Sequence, residues 1–99
     1  MELRIQIDKA QLAAFCRKHH ITKLAFFGSV LTDGFGPDSD VDVLFEYDPA
    51  YTPSLFDLAG MEEELSALLC RRADMRTAAD LSKYFRDEVV RSALVQYAA

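Results

Sequence analysis

The sequence predicts an α+β domain in which short strands alternate with about three helices, and three observations carry that reading. The apolar run Leu24-Ala25-Phe26-Phe27 stops at Gly28. Val41, Val43 and Phe45 alternate with Asp40, Asp42, Leu44 and Glu46 at the period of a half-buried strand. Around them, apolar residues recur at helical spacing from Asp8 to His20 and from Ser54 to Leu69. With 99 residues, 51% of them hydrophobic and 27% charged, and only 4 Gly and 3 Pro, the chain has the composition of one globular domain over residues 1–99.

Taken in order, Leu3, Ile5 and Ile7 alternate with Arg4 and Gln6 and predict a first short strand. Asp8 followed by Gln11 has the form of a capping box, so Leu12, Phe15, Cys16 and His19 fall on one face of a helix from about Asp8 to His20. Leu24 to Phe27 reads as a buried strand ending at Gly28-Ser29, with Ser29 placed to cap a short helical turn through Thr32. The segment Asp33-Gly34-Phe35-Gly36-Pro37-Asp38-Ser39 is a loop by its turn formers. In the strand that follows, Asp40 and Asp42 share a face because side chains two apart point the same way.

After a loop from Asp48 to Pro53, Ser54 and Asp57 predict a second capping box. Leu55, Leu58, Ala59, Leu65, Leu68 and Leu69 form the apolar stripe of its helix, with Glu62, Glu63 and Glu64 on the solvated side. Arg72 to Thr77 reads as a strand with Arg72, Asp74 and Arg76 on one face and Ala73 and Met75 on the other. A third helix is expected from about Leu81 or Ser82, with Tyr84, Phe85 and Val89 as its apolar set. Leu94 to Tyr97 fits either the end of that helix or a short closing strand.

Eleven Lys and Arg against 16 Asp and Glu leave a net charge of −5, which excludes a general grip on nucleic-acid phosphates. Cys16 and Cys70 lack metal-ligand spacing and are expected as reduced, core-filling thiols of a soluble, cytoplasmic protein without signal peptide or membrane span. His19 and His20 are adjacent, hence on different helix faces, and share no metal. Glu46 is expected at the surface, and Arg76 as an ion-paired or solvated strand residue. A domain this small encloses little, so a sizeable acceptor needs a surface cleft or a second subunit.

Asp40, Asp42 and Asp74 stand where a metal-dependent phosphoryl or nucleotidyl transferase needs carboxylates. Side chains at i and i+2 of a strand can converge on the same ions, and a two-metal site clamps the attacking and leaving oxygens. Magnesium suits such a hard oxygen site. Gly28-Ser29 supplies a backbone that substrate phosphate can approach and a hydroxyl beside it. The competing readings are a capped turn into a strand for Asp40 and Asp42, and a salt bridge to Arg72 or Arg76 for Asp74.

Gly28-Ser29, ten residues, then Asp40-Val41-Asp42 resembles the signature of the minimal nucleotidyltransferases, small members of the DNA polymerase β-like nucleotidyltransferase superfamily. The resemblance extends over Leu24 to Ser29, Pro37 to Glu46, the Leu-rich helix with its Glu run, Ala73-Asp74-Met75 and Leu81-Ser82-Lys83-Tyr84, covering roughly Ile21 to Tyr97. It implies a small mixed sheet flanked by helices, two magnesium ions on Asp40, Asp42 and Asp74, and a nucleoside triphosphate, ATP, held at Gly28 and Ser29. Asp74 would orient or deprotonate the acceptor hydroxyl. The family often carries Arg where this chain has Val30 and Thr32, a departure that bears on the triphosphate grip.

The resemblance further implies an antitoxin that adenylylates a tyrosine of a HEPN-domain ribonuclease toxin, with a homo- or hetero-oligomer as the assembly and no direct nucleic-acid or membrane partner. Two alternatives stand beside it. One is a weakly active or inactive module that neutralises its partner by contact, favoured by Val30 and Thr32. The other is a small-molecule adenylyltransferase, which the absence of a substrate domain disfavours.

Overall fold

The protein is described here by a computed structural model covering residues 7–32, 34, 36 and 38–99. The expected first strand at Leu3 and Ile5 lies outside the described residues, as do Asp33, Phe35 and Pro37 of the loop. Helix α1 (Lys9–Lys18) begins where Asp8 accepts hydrogen bonds from the N–H groups of Ala10 and Gln11 at 3.0 and 3.2 Å. It buries Leu12, Phe15 and Cys16 and ends at His19, after which His20 takes a left-handed φ of 58° and turns the chain into β1 (Ile21–Phe27). β1 is longer than the apolar run that announced it because Ile21 is also buried.

Strand β2 (Val41–Tyr47) pairs antiparallel with β1, with Val41, Val43 and Phe45 in the core as the alternation requires. Helix α2 (Leu55–Leu69) carries the expected capping box: Ser54 N–H donates to Asp57 Oδ2 at 2.9 Å and Asp57 N–H to Ser54 Oγ at 3.1 Å. Its buried stripe is Met61, Leu65 and Leu69, at i, i+4 and i+8, with Leu58 and Leu68 partly buried. The predicted stripe is therefore corrected at its start, because Leu55 lies in the first turn, before the helix reaches the sheet, and is 85% exposed. Ala59 is exposed as well.

Cys70 ends α2 in the left-handed conformation, φ 55°, with its side chain in solvent. This corrects the core-filling expectation for Cys70, while Cys16 fulfils it. β3 (Ala73–Arg76) then runs parallel to β2, a pairing that needs a crossover, which α2 supplies. Val41 N–H donates to the Arg72 carbonyl at 2.8 Å, so alternation along β3 turns the N–H groups of Ala73 and Met75 away from β2. Both find partners on α2: Ala73 N–H donates to Ser66 Oγ at 2.8 Å and Met75 N–H to Glu62 Oε2 at 2.7 Å. Glu62 is therefore not a plain solvated residue of its helix.

The third helix begins later than expected. The Thr77 and Asp80 box closes only one 3-10 turn (Ala78–Asp80), Leu81 is extended, and α3 (Arg86–Ser92) follows with no buried residue. Tyr84 and Phe85, expected at the core or at an interface, are 88% and 48% exposed, which corrects the core half of that expectation. Leu94 to Tyr97 resolves as strand, β4 (Leu94–Ala98), antiparallel to β1. Among the described residues the sheet is thus mixed, four strands in the order β3-β2-β1-β4, with α1 and α2 packed on the face that carries Leu24, Phe26, Val43 and Phe45. Among the described residues no helix is long and apolar enough to cross a membrane.

The two thiols are predicted to differ in reactivity. Burial pushes the Cys16 thiol up to about 12 against a slight opposing effect of Arg17, whereas Cys70 is exposed. Native protein treated with iodoacetamide at about pH 8 should take one label, on Cys70, and a second only in denaturant. Peptide mass mapping reads this out, and equal labelling of Cys16 in the folded protein would contradict the packing of α1.

Candidate active site

The core face of the sheet leaves the opposite face to Asp42, Asp74 and Arg76, and the site is built there. Parallel pairing sets Asp42 directly opposite Asp74 in register. Adjacent strands lie about 4.8 Å apart, so two side chains of matched parity stand abreast. From the other side β1 brings Phe27 opposite Asp42, and the chain then turns at Gly28 with φ +76°. A Cβ at Gly28 would overlap Asp42 Oδ2, so only glycine lets the turn close against this carboxylate.

Asp40 stands at the entrance of β2, more exposed than Asp42, with its Oδ2 4.0 Å from Arg72 Nε. The loop leading to it is held by Arg71, whose guanidinium donates to the carbonyls of Gly36 at 2.6 Å and Ser39 at 3.3 Å. Asp74 pairs with Arg76 at 3.0 Å. Thus the ion-pair reading of Asp74 describes its contact, and Arg76 is ion-paired as expected. Ser29 does not cap the turn that follows β1: this 3-10 turn (Gly28–Leu31) has no side-chain cap, and the Ser29 carbonyl instead accepts from Thr32 Oγ1 at 2.9 Å.

Burial raises the Asp42 carboxyl above its ordinary value of 3.8. The charge of Asp74 raises it further, Arg76 opposes this, and Asp40 adds a smaller upward push. The structure therefore brings Asp42, Asp74 and Gly28 together, with Asp40 close enough to be felt. Among the described residues no three His, Cys, Asp or Glu side chains converge into a metal cage, since Asp74 is turned to Arg76 and Asp40 towards Arg72. The donor chemistry fits magnesium nonetheless: all the candidate groups are hard carboxylate oxygens, and repulsion at half-buried Asp42 is what a cation would relieve.

Beside Asp74 opens a polar cleft of about 440 Å³, lined by Asp40, Glu62, Glu63, Ser66, Arg72 and Arg76 among others. A larger cleft, about 540 Å³, lies around the stacked rings of His20 and Tyr51, at the end of β1 remote from Gly28. His19 engages Glu64. The sequence reading passed over Glu62 and Ser66; their i, i+4 spacing opposite the i, i+2 pair Ala73 and Met75 was the available signal.

The strand order, the Gly-Ser turn closed on one carboxylate and a second carboxylate abreast of it define a polymerase β-like nucleotidyltransferase fold. The chain belongs to the nucleotidyltransferase domain family, whose model matches residues 9–96. A solved candidate minimal nucleotidyltransferase is 29% identical, with a TM-score of 0.71, covering 87% of this chain and 86% of that one. A toxin-antitoxin structure with AMP-PNP superposes with a TM-score of 0.73 at 16% identity, over 94% of this chain and 75% of that one. The toxin-antitoxin MntA-HepT gives 0.64 at 15% identity, over 92% and 70% of the two chains. A comparison with curated protein sequences gives no match.

Two predictions follow from the geometry around Asp42. Gly28→Ala should destabilise the fold by about 1–2 kcal/mol from the left-handed backbone alone, with the displaced Asp42 adding to the loss; urea unfolding measures it. For Asp42 the sign runs the other way. Its folded pKa is raised, so the native state binds the proton more tightly and loses stability as pH rises from 3.8 through the folded value. In metal-free buffer at neutral pH, Asp42→Asn should therefore raise Tm, and the advantage should vanish below pH 3.8, where Asp42 is protonated in both states.

Proposed function

We propose that this chain is a magnesium-dependent nucleotidyltransferase that moves AMP from ATP to a tyrosine hydroxyl of a HEPN-type ribonuclease toxin, acting in the cytoplasm as that toxin's antitoxin. The observation that carries this reading is the register of Asp42 with Asp74, closed on one side by Gly28. Family membership supports transferase activity, and the toxin-antitoxin neighbours, one of them bound to AMP-PNP, support the partner and the nucleotide.

In this mechanism Asp40, Asp42 and Asp74 would hold the ions, the first and last released from Arg72 and Arg76. Bound magnesium would supply neutralisation of the charge that develops on the transferred phosphoryl group. Gly28 admits triphosphate oxygens to the backbone, and the Ser29 hydroxyl donates to one of them. Asp74, facing the cleft, orients the acceptor hydroxyl and takes its proton as the acceptor oxygen bonds to the α-phosphorus and the bond to pyrophosphate breaks. A domain of 99 residues has little chain with which to wall in a second substrate, so the hydroxyl arrives on another protein. The net charge of −5 favours a basic partner surface.

A second reading, inhibition by contact without catalysis, is favoured by one observation. Val30, at a place where the resembling family often has Arg, is fully buried in the core and contributes no cation to a triphosphate.

The test incubates the protein with magnesium, each nucleoside triphosphate and a HEPN-type ribonuclease toxin, and weighs the toxin by intact-mass spectrometry. Adenylyl increments should appear with wild type, fall by orders of magnitude with Asp42→Asn, and fall with Asp74→Asn while ATP affinity is kept. A partner inhibited equally by wild type and Asp42→Asn, with no added mass, establishes the contact reading instead.

A further inference from the structure

Among the described residues strand β3 is an edge of the sheet, and its outer N–H groups would ordinarily face water or another chain. Here they are taken up by two side chains of α2 one helical turn apart. Ser66 and Glu62 are separated by about 6 Å along the helix, and Ala73 and Met75 by about 6.6 Å along the strand. The two rises match closely enough for two bonds to form side by side, Ala73 N–H to Ser66 Oγ at 2.8 Å and Met75 N–H to Glu62 Oε2 at 2.7 Å. The chain reverses between α2 and β3, so the later helix residue meets the earlier strand residue.

Ser66 is itself oriented, because its hydroxyl donates to the Glu62 carbonyl at 2.6 Å and leaves the oxygen lone pairs for Ala73. The residue between the two clamped amides is Asp74. The Arg72–Ala73 and Asp74–Met75 peptides are tied to α2 on one side, and the β2 register holds the strand on the other. β3 is four residues long and has a ladder partner on one side only, so the bonds to α2 hold the side that the ladder leaves open.

We infer that Glu62 and Ser66 are positioning residues for Asp74: they fix the strand that carries the third carboxylate and so set its distance from Asp42. The inference rests on the proposed role of Asp74 in transfer. Glu62 does its work as a hydrogen-bond acceptor for a backbone amide, so its charge is dispensable, whereas its oxygen is not.

The experiment has two arms. In the free protein, amide hydrogen exchange followed by NMR should show faster exchange of Met75 in Glu62→Leu and of Ala73 in Ser66→Ala, with Leu24 and Phe26 of β1 unchanged. Exchange that is unaltered at Met75 and Ala73 overturns the clamp whatever the catalytic result. In the transfer assay Glu62→Leu and Ser66→Ala should lose roughly 10- to 100-fold in kcat at unchanged ATP affinity, and Glu62→Gln, which keeps an acceptor oxygen, should restore the rate.

The deciding comparison is made in the Asp74→Asn background. A residue acting through Asp74 costs nothing more once Asp74 is gone, so Glu62→Leu should add no further loss there. An equal loss in both backgrounds marks Glu62 as merely structural, and a Glu62→Gln variant as slow as Glu62→Leu marks it as a direct charge in the reaction; either overturns the inference. Full transfer by Asp74→Asn alone is a different failure, that of the role assigned to Asp74, and is recognised by that control.

Discussion

The parallel pairing of β2 with β3 is the constraint on which the arrangement of the site depends. Parallel neighbours cannot be joined by a tight turn, so fifteen residues of α2 lie between them and pack Met61, Leu65 and Leu69 onto the sheet. The same pairing places Asp42 against Asp74 without any loop contributing to the distance. Core and site are therefore two faces of one register. Val41, Val43, Ala73 and Met75 face the helices, while Asp42 and Asp74 face the other way. A slip of one residue in either strand would exchange the two sets, and burial of four apolar side chains opposes that slip.

The electrostatics of the site are unfavourable in the metal-free protein, and the surrounding residues manage the cost locally. Asp42 is half-buried beside two other carboxylates, which holds its pKa up. Arg76 and Arg72 lie against Asp74 and Asp40 and offset part of the repulsion. Both arginines are substantially exposed, so these pairs are weak holds that a more strongly charged ligand can displace. Gathering like charges around a half-buried Asp42 costs stability, a pattern common at functional sites.

Much of this was legible in the residues themselves because it depends on local periodicity. The Ser54–Asp57 box, the helical turn repeat of α1 and the alternation in β2 are all short-range patterns, and each element formed where its pattern lay. The weaker readings failed where burial was decided by distant partners. Leu55, Tyr84 and Phe85 have apolar side chains at helical or near-helical spacing but are exposed, because no other element packs over them. Cys70 was read as core although it occupies a left-handed helix end. Leu94 to Ala98 could be resolved as strand only because β1 offers a free edge to pair with.

The sequence by itself determined the composition of the site: Gly28-Ser29 after a strand, Asp40 and Asp42 two apart at the start of another, and Asp74 in a third. It did so because residues two apart in a strand must share a face whatever they pack against. Tertiary structure decided which of those residues meet. Register between separate strands put Asp42 opposite Asp74, the turn at Gly28 closed on Asp42, and Asp40 was left at the strand entrance near Arg72. It also gave Glu62 a partner in the Met75 amide. Such contacts join residues distant along the chain through the mutual spacing of a helix and a strand, and periodicity within one segment carries no information about that spacing.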